Sequence, residues 1–322
     1  MKKPVKINKI PDPPDPLTRK KCLPGEAVPP SAADARHQQN IERIKNSKTY
    51  IPAIEDVEFL QGSDARGVRL QLDYLKPELT MRAHGIQHSI VVFGGTRVSV
   101  KEDAQGEVDE IECQLGLDPD NIELREKLSV AKRVRKKSKY YDVAREFSSL
   151  VARSGRGPED SRLVVITGGG PGIMEAANRG AVETGAKTVG LNITLPREQL
   201  HKPYITPDLC FQFNYFALRK MHFMIRARAL VAFPGGFGTL DELFETLTLI
   251  QTRKIHPLPV VLVGEKFWRK AINIDFLVDE GVIDAEDREL VWYAETAEEI
   301  WEGLVLWYRK AGLSLIPEDE SN

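Results

Sequence analysis

The stretch "RALVAFPGGFGTLDELFETL", residues 228–247, decides the fold. Leu230-Val231-Ala232-Phe233 is an uninterrupted apolar run of strand length. Apolar on both of its faces, it reads as a strand buried on both sides, as parallel strands are. It stops at Pro234-Gly235-Gly236-Phe237-Gly238-Thr239, and an amphipathic helix pattern begins at once. Strand, glycine loop and helix in that order form the βα unit of an α/β protein.

Working outward, the same unit recurs. Ser89-Ile90-Val91-Val92-Phe93 runs into Gly94-Gly95-Thr96-Arg97, and Leu163-Val164-Val165-Ile166-Thr167 runs into Gly168-Gly169-Gly170-Pro171-Gly172. Thr188–Ile193 leads into "TLPREQ", Pro259–Val263 makes a fifth strand, and "DLCFQF" (208–213) offers a sixth. The fold class is therefore α/β: a doubly wound, Rossmann-like parallel sheet with flanking helices and an N-terminal helical extension.

Composition sets the outer limits. The chain has 322 residues, 42% hydrophobic and 29% charged, with a formal net charge of −2. That balance fits a globular chain with a sizeable core and gives no basic field for nucleic acid. No apolar run reaches the ~18 residues of a membrane span. The three cysteines, Cys22, Cys113 and Cys210, form no pairing framework, which points to a reducing, cytoplasmic location. Residues 1–30, rich in proline and charge, read as a tail too poor in apolar groups to order itself.

Residues 31–85 read as the helical extension packed on the core. Within it Val68, Leu72, Leu75 and Leu79 keep helical spacing, and Pro77 predicts a kink or break. Residues 86–315 form the Rossmann-like domain, and 316–322 a short acidic tail. A charged insertion at about 102–139 is acidic at first (102–112) and basic later ("KRVRKKSK", 132–139), within a long helix expected over about 120–153. A solvated helix face neutralised by the acidic segment explains the basic run more simply than a polyanion partner does. The C-terminal part, 276–310, reads as helices covering the sheet.

In open parallel sheets ligands bind beyond the carboxyl ends of the strands. Three strands end there in glycine loops, at 94–95, 168–172 and 235–238. One such loop is weak, since a strand–helix turn favours glycine for its own sake. Three on one edge suggest a shared need for close backbone approach to a ligand. The dinucleotide fingerprint fails, because its third glycine would fall at Ile173 or Glu175, and no loop continues into Gly-Lys-Ser/Thr. What remains is a helix N-terminus offering free amides and partial positive charge to a single phosphate. Gly236, Gly238 and Thr239 suit that role, and Gly170-Pro171-Gly172 repeats the arrangement.

Glu242 admits two readings. Thr239-Leu240-Asp241-Glu242 matches a capping box, in which Thr and Glu satisfy the helix's own amides. Alternatively Glu242 faces a ligand. Upstream, "NYFALRKMHFMIRARAL" (214–230) reads as a helix with Arg219, His222 and Arg226 on one face. That face is either a surface salt-bridge stripe or part of a site, and His222 alone is more simply structural.

Arg219-Lys220 followed by Pro234-Gly235-Gly236-Phe237-Gly238-Thr239-Leu240-Asp241-Glu242 resembles the signature of the LOG ("Lonely guy") family, an Arg-Lys pair followed by PGGxGTxxE. Glu242 lies 23 residues beyond Arg219, as in the family pattern. Gly168–Glu175 and "VVFGGTR" look like the family's other glycine motif and its first strand and loop. The family hydrolyses the N-glycosidic bond of nucleoside 5′-monophosphates. Longer bacterial-type members are often labelled lysine decarboxylases, for which no pyridoxal-lysine context is visible here.

The resemblance implies Arg219 and Glu242 as catalytic residues. For phosphate and nucleotide it implies Gly235, Gly236, Phe237, Gly238, Thr239, Gly94, Gly95, Thr96, Arg97, Gly169, Gly170, Gly172 and Lys220, with Met174 and Glu175 beside base or sugar. It implies no metal or cofactor, an AMP-like or cytokinin riboside monophosphate substrate, and self-association as a homodimer or higher oligomer. Met221-His222-Phe223 follows the Arg-Lys pair where short plant-type members carry Ala-Glu-Met, so cytokinin specificity does not transfer directly. Two other readings keep the fold: a nucleotide-binding sensor with little catalysis, and a molybdenum-cofactor carrier-like protein.

Overall fold

Seven parallel strands form one sheet in the computed structural model, which describes residues 12–19, 21, 35–157, 159–194 and 203–316. They are β1 (His88–Phe93), β2 (Leu163–Thr167), β3 (Thr188–Ile193), β4 (Cys210–Phe213), β5 (Ala227–Ala232), β6 (Val260–Val263) and β7 (Val291–Ala294). Their order across the sheet is β4-β3-β2-β1-β5-β6-β7, with every neighbouring pair parallel.

The order matters more than the count. The chain builds outward from β1 to β4 and then returns to lay β5 on the other side of β1. The direction of growth reverses between β1 and β5, a switch point beyond whose strand ends open α/β sheets carry their ligand crevice. Two of the three glycine loops leave β1 and β5.

The residues divide into two units, Met1–Arg66 and Gly67–Asn322. The first contains α1 (Ala35–Lys45) and the short α2 (Val57–Gln61), whose start is capped by Asp56 accepting from the Phe59 amide at 2.9 Å. The expected N-terminal tail lies largely outside the described residues, as do "LPREQ" after β3 and the acidic C-terminus.

In the second unit the sheet is covered on both faces. The helices are α3 (Arg66–Ala83, starting at the boundary), α4 (Lys101–Leu117), α5 (Ile122–Arg135), α6 (Lys139–Arg153), α7 (Ile173–Glu183), α8 (Phe216–Ile225), α9 (Phe237–Gln251), α10 (Glu265–Ala271), α11 (Ile274–Asp279) and α12 (Ala297–Lys310). Tyr141, Ala144 and Phe147 of α6, Ile173 and Ala177 of α7, and Ile300 and Leu304 of α12 close over one face. Phe223 of α8, Leu243 and Ile250 of α9, Trp268 of α10 and Met81 of α3 close over the other. Among the described residues, no helix is long and apolar enough to cross a membrane.

Three expectations are corrected. Pro77 does not end its helix: α3 runs through it, with Pro77, Glu78 and Met81 buried. Proline removes one backbone hydrogen bond, and contacts of α3 with α8 on both sides of Pro77 hold the helix through it. The single helix expected over 120–153 is two, broken at Lys136–Ser138, and the basic α5 folds back on the acidic α4 through the turn at 118–121. Lys132 pairs with Glu112 at 2.7 Å and Arg135 hydrogen-bonds Gln105. The C-terminal part is not all helix, because Val291–Ala294 pairs with β6 as the edge strand β7.

Candidate active site

The site is assembled from the loops that leave β1, β2 and β5. The amide of Gly95 donates to the carbonyl of Pro234 at 2.9 Å, and the Phe233 amide donates to the Phe93 carbonyl at 2.8 Å. The Ile173 amide, first in α7, donates to the Gly95 carbonyl at 3.3 Å. Backbone hydrogen bonds thus tie the 94–97, 168–172 and 234–239 segments into one rim.

Two glycines are fixed by this crowding. Gly172 has φ of 75°, and a methyl group there would stand 2.3 Å from the Gly95 carbonyl oxygen. At Gly235 a methyl group would stand 2.1 Å from Thr239 Oγ1. The loop therefore packs backbone directly against the first turn of its own helix.

That helix begins earlier than the capping-box reading needs. Its N-cap is Gly236 and Phe237 is its first residue, and no side chain caps it. Thr239 is the third helical residue and is buried against Gly235. Glu242 is then six residues in, beyond reach of the orphan amides of a first turn. The capping-box reading is overturned. Gly236 and Gly238 face open space and Phe237 is 91% exposed, so the uncapped end of α9 is open to a ligand. The N-terminus of α7, with Gly172 as N-cap, likewise has no side-chain cap.

Glu242 is 4% exposed. Among the described residues, no donor is hydrogen-bonded to its carboxylate. Burial pushes its pKa up to about 7; the charges of Lys220 and Arg219 pull it down, and Glu245 and Asp241 add to the rise. A carboxylate held near neutrality in a cleft is suited to proton transfer.

Arg219 projects from α8 into the same crevice. Its Nε donates to the Leu191 carbonyl at the end of β3 at 2.6 Å. The guanidinium lies over the Phe223 ring at 5.2 Å and so near Gly168 that a methyl group there would be 2.5 Å from Nη2. Burial lowers its pKa, and Glu242 works in the opposite direction. A guanidinium remains charged under this pull.

The other expected residues take varied places. Met174 reaches back across the β2 loop, its Sδ beside Gly168 and its Cε beside Gly170, with Thr96 on the other side of Gly170. Gly169 abuts Asn192, and Gly94 abuts Ile173. Thr96 and Arg97 are exposed on the β1 loop. Glu175 is half-buried in the first turn of α7, where its charge acts on Tyr141 of α6. Lys220 bridges helices: its Nζ lies 2.8 Å from Asp241 and 3.0 Å from Glu245, both on α9.

The Arg219, His222 and Arg226 stripe does not form one surface face. Arg219 turns to the crevice. His222 is buried, stacked on Tyr74 at 5.4 Å, with Nε2 3.1 Å from the Tyr74 carbonyl; burial lowers its pKa. Arg226 makes a bidentate pair with Glu78 at 2.7 and 2.8 Å. Sequence reasoning missed the Leu191 carbonyl that anchors Arg219, and Asn192 beside Gly169, because backbone acceptors and β3 side chains leave no motif. Its one available signal was that β3 ends on the same sheet edge.

A family model described as possible lysine decarboxylase matches residues 174–304. The cytokinin riboside 5′-monophosphate phosphoribohydrolase LOG3 of Arabidopsis thaliana is 30% identical over 174 residues, covering 51% of this chain and 74% of that protein. The phosphoribohydrolase LOG of Oryza sativa subsp. japonica is 29% identical over 51% of this chain and 66% of its own. A solved structure of a Moco carrier protein from Chlamydomonas reinhardtii aligns with a TM-score of 0.42 at 20% identity, over 70% of this chain and 99% of that one. The plant relatives carry the similarity across most of their own length, and the family model spans both Arg219 and Glu242: this chain belongs to the LOG family.

Proposed function

We propose that the protein hydrolyses the N-glycosidic bond of a nucleoside 5′-monophosphate, releasing free base and ribose 5-phosphate. One observation carries the reading: a buried carboxylate with its pKa near 7, Glu242, shares a crevice with the half-buried cation Arg219 and two uncapped helix N-termini.

Each part has a task. The 5′-phosphate sits at the open end of α9, where the amides of Gly236 to Thr239 and the helix dipole favour an anion. Bond cleavage develops positive charge on the sugar, a problem that sugar hydrolases meet with a carboxylate near the anomeric carbon. Glu242 stands five residues beyond Phe237, where the helix starts, about 7.5 Å along the axis at ~1.5 Å per residue. That offset suits a group acting on the ribose while the phosphate is held at the helix end. Glu242, while ionised, offsets the sugar's charge as the C–N bond breaks, takes a proton from the water that attacks the anomeric carbon, and that proton passes to the nitrogen of the departing base. Arg219 holds the ribose and steadies the ionised form of Glu242. Met174, lying over the β2 loop, lines the space next to the base. Positioning of this kind lowers barriers by up to roughly 7–11 kcal/mol.

The names of the plant relatives, which specify cytokinin riboside 5′-monophosphates, support a nucleoside monophosphate as the substrate class. AMP and its N6-substituted forms are thus the first compounds to test. Purified protein is incubated with AMP, GMP, CMP and N6-isopentenyl-AMP, and free base and ribose 5-phosphate are measured. Cleavage of one or more is expected. Tight binding of all four without cleavage would replace the hydrolase with a nucleotide sensor.

A further inference from the structure

We propose that Asp73, on α3, is a positioning residue for this site: its carboxylate fixes the entry of α8 and so sets where Arg219 stands against Glu242. The inference rests on the hydrolase reading for its effect on turnover, and on structure alone for its effect on α8.

The helix α8 has no side-chain cap of its own. Its N-cap, Tyr215, is in extended conformation and makes no capping hydrogen bond. The cap comes from another element. Asp73 Oδ2 accepts from the amides of Asn214 and Tyr215, each at 2.9 Å. A carboxylate at a helix N-terminus is favoured by the dipole and satisfies amides that would otherwise lack partners. Here the two partners lie 141 and 142 residues apart in sequence from Asp73, so no local pattern announces them.

One turn separates this cap from the crevice. The Tyr215 carbonyl accepts the amide of Arg219 at 3.2 Å, so the residue that Asp73 grips is the one on which Arg219 is built. Arg69 adds a second hold, its Nε donating to the Tyr215 hydroxyl at 3.1 Å. Farther along, the Tyr74 carbonyl meets His222 and Glu78 meets Arg226. The two helices are pinned at the start, middle and end of α8. Asp73 grips the backbone of the entry, one turn before Arg219, while the pins at His222 and Arg226 lie beyond it. The whole of α3 lies outside residues 174–304, where the family model matches.

Arg219 has little freedom to compensate. Its Nε is committed to Leu191, and Gly168 and the Phe223 ring bound its head. A shift in the first turn of α8 therefore moves the guanidinium relative to Glu242. Displacements of about 1 Å at such groups cost up to roughly 100-fold in rate.

The test compares Asp73→Ala with Asp73→Asn in the full chain. Asparagine keeps an oxygen that accepts from the same amides; alanine does not. Hydrogen exchange of residues 214–219 is expected to quicken in Asp73→Ala and to stay near wild type in Asp73→Asn. With AMP as substrate, kcat is expected to fall roughly 10- to 100-fold in Asp73→Ala while KM changes far less. The rising limb of its pH–rate profile should move to higher pH. Glu242 is faced by Arg219 and Lys220 from α8 and by Asp241 and Glu245 from its own helix, and weakening Arg219's field leaves Lys220 alone to oppose burial and the two acids. Asp73→Asn should restore kcat and profile together.

Unchanged exchange over 214–219 in Asp73→Ala, or an unchanged kcat and pH profile, overturns the inference. If Asp73→Ala does not fold, Asp73→Ser, with a shorter reach, is read in its place against the same criteria. Wild-type protein that cleaves no nucleotide overturns the hydrolase reading instead, and the exchange experiment still decides whether Asp73 orders α8.

Discussion

Arg219 is fastened to the carbonyl of Leu191 at 2.6 Å, a hydrogen bond that ties α8 to the end of β3 across the mouth of the crevice. The bond uses Nε and leaves the two terminal nitrogens for a ligand. Lysine cannot divide its donors in that planar way. Arg219→Ala is expected to lower kcat/KM for AMP roughly 100-fold, the loss that follows when a group that positions the ribose and the carboxylate is removed. Arg219→Lys should recover little of it. Steady-state kinetics of the three proteins, with circular dichroism to verify folding, checks this. Near-wild-type kcat/KM in Arg219→Lys would mean that only a positive charge is required.

Glu242 links activity to stability through its pKa of about 7. As the proposed base it must be ionised, so the rate is expected to rise with pH through about 7. The sign for folding is opposite. The folded-state pKa lies above the unfolded value of 4.5, so the fold binds the proton more tightly. Stability from that preference is full below about 4.5 and is lost as pH rises through about 7. At about 1.4 kcal/mol for each pH unit between the two values, the preference is worth on the order of 3 kcal/mol. Glu242→Gln is expected to abolish turnover and to gain thermal stability over wild type at pH 8 but not at pH 4. Melting curves at the two pH values suffice; equal gains at both would show that the effect has nothing to do with ionisation.

How the site became legible, and where it did not, follows from the range of the forces involved. The strands through Ile90, Val165 and Val231 are buried on both faces, so their apolar runs are visible without partners. The glycine loops are visible because backbone approach admits no side chain at Gly172 or Gly235. By contrast β7 is four residues long at the sheet edge, with three of them only half-buried, and its sequence carries no strong period. The start of α9 is hidden because Thr239 and Glu242 imitate a capping box, whereas the fold begins the helix at Phe237 and packs Thr239 against Gly235. Pro77 misleads for a similar reason, since the contacts that hold α3 on both sides of it, from Asp73, Tyr74 and Glu78, are long-range and leave no local pattern.

Gly235 offers a steric test of the phosphate seat. A methyl group there would overlap Thr239 Oγ1 at 2.1 Å and Cβ at 2.6 Å, and Thr239 is held in the helix and buried. Something must shift, and what shifts is the first turn of α9. Gly235→Ala is expected to weaken AMP binding at least tenfold, read as KM or as Kd by calorimetry in the Glu242→Gln background. Thr239→Ser in the same chain removes Cγ2 but keeps the hydroxyl, so it should not relieve the clash. Gly106→Ala on α4 is the control, because nothing lies within 4 Å of a methyl group at that position. Equal affinity in Gly235→Ala and Gly106→Ala would remove the loop geometry from the account of binding.

The ion pair of Glu78 with Arg226 separates stability from catalysis. Both side chains are about nine-tenths buried, and Glu78 also meets Arg82 at 3.1 Å. Removing one partner leaves the other charge buried and unpaired, which costs about 3–5 kcal/mol. The hydrogen bonds from Arg226 hold the Glu78 carboxyl below its ordinary pKa, against its burial. With the folded-state pKa depressed, the pair's contribution is present above about 4.5 and fades as pH falls below it. Glu78→Ala is therefore expected to lower the denaturation midpoint strongly at pH 7, and the gap to wild type should narrow on acidification. The variant keeps Asp73, so the folded fraction should retain a kcat close to wild type while its population falls. Denaturant titrations at pH 7 and pH 4, with kcat corrected for folded fraction, measure both parts. A kcat that fell in step with stability after that correction would mean that the far end of α8, and not its entry alone, sets the position of Arg219.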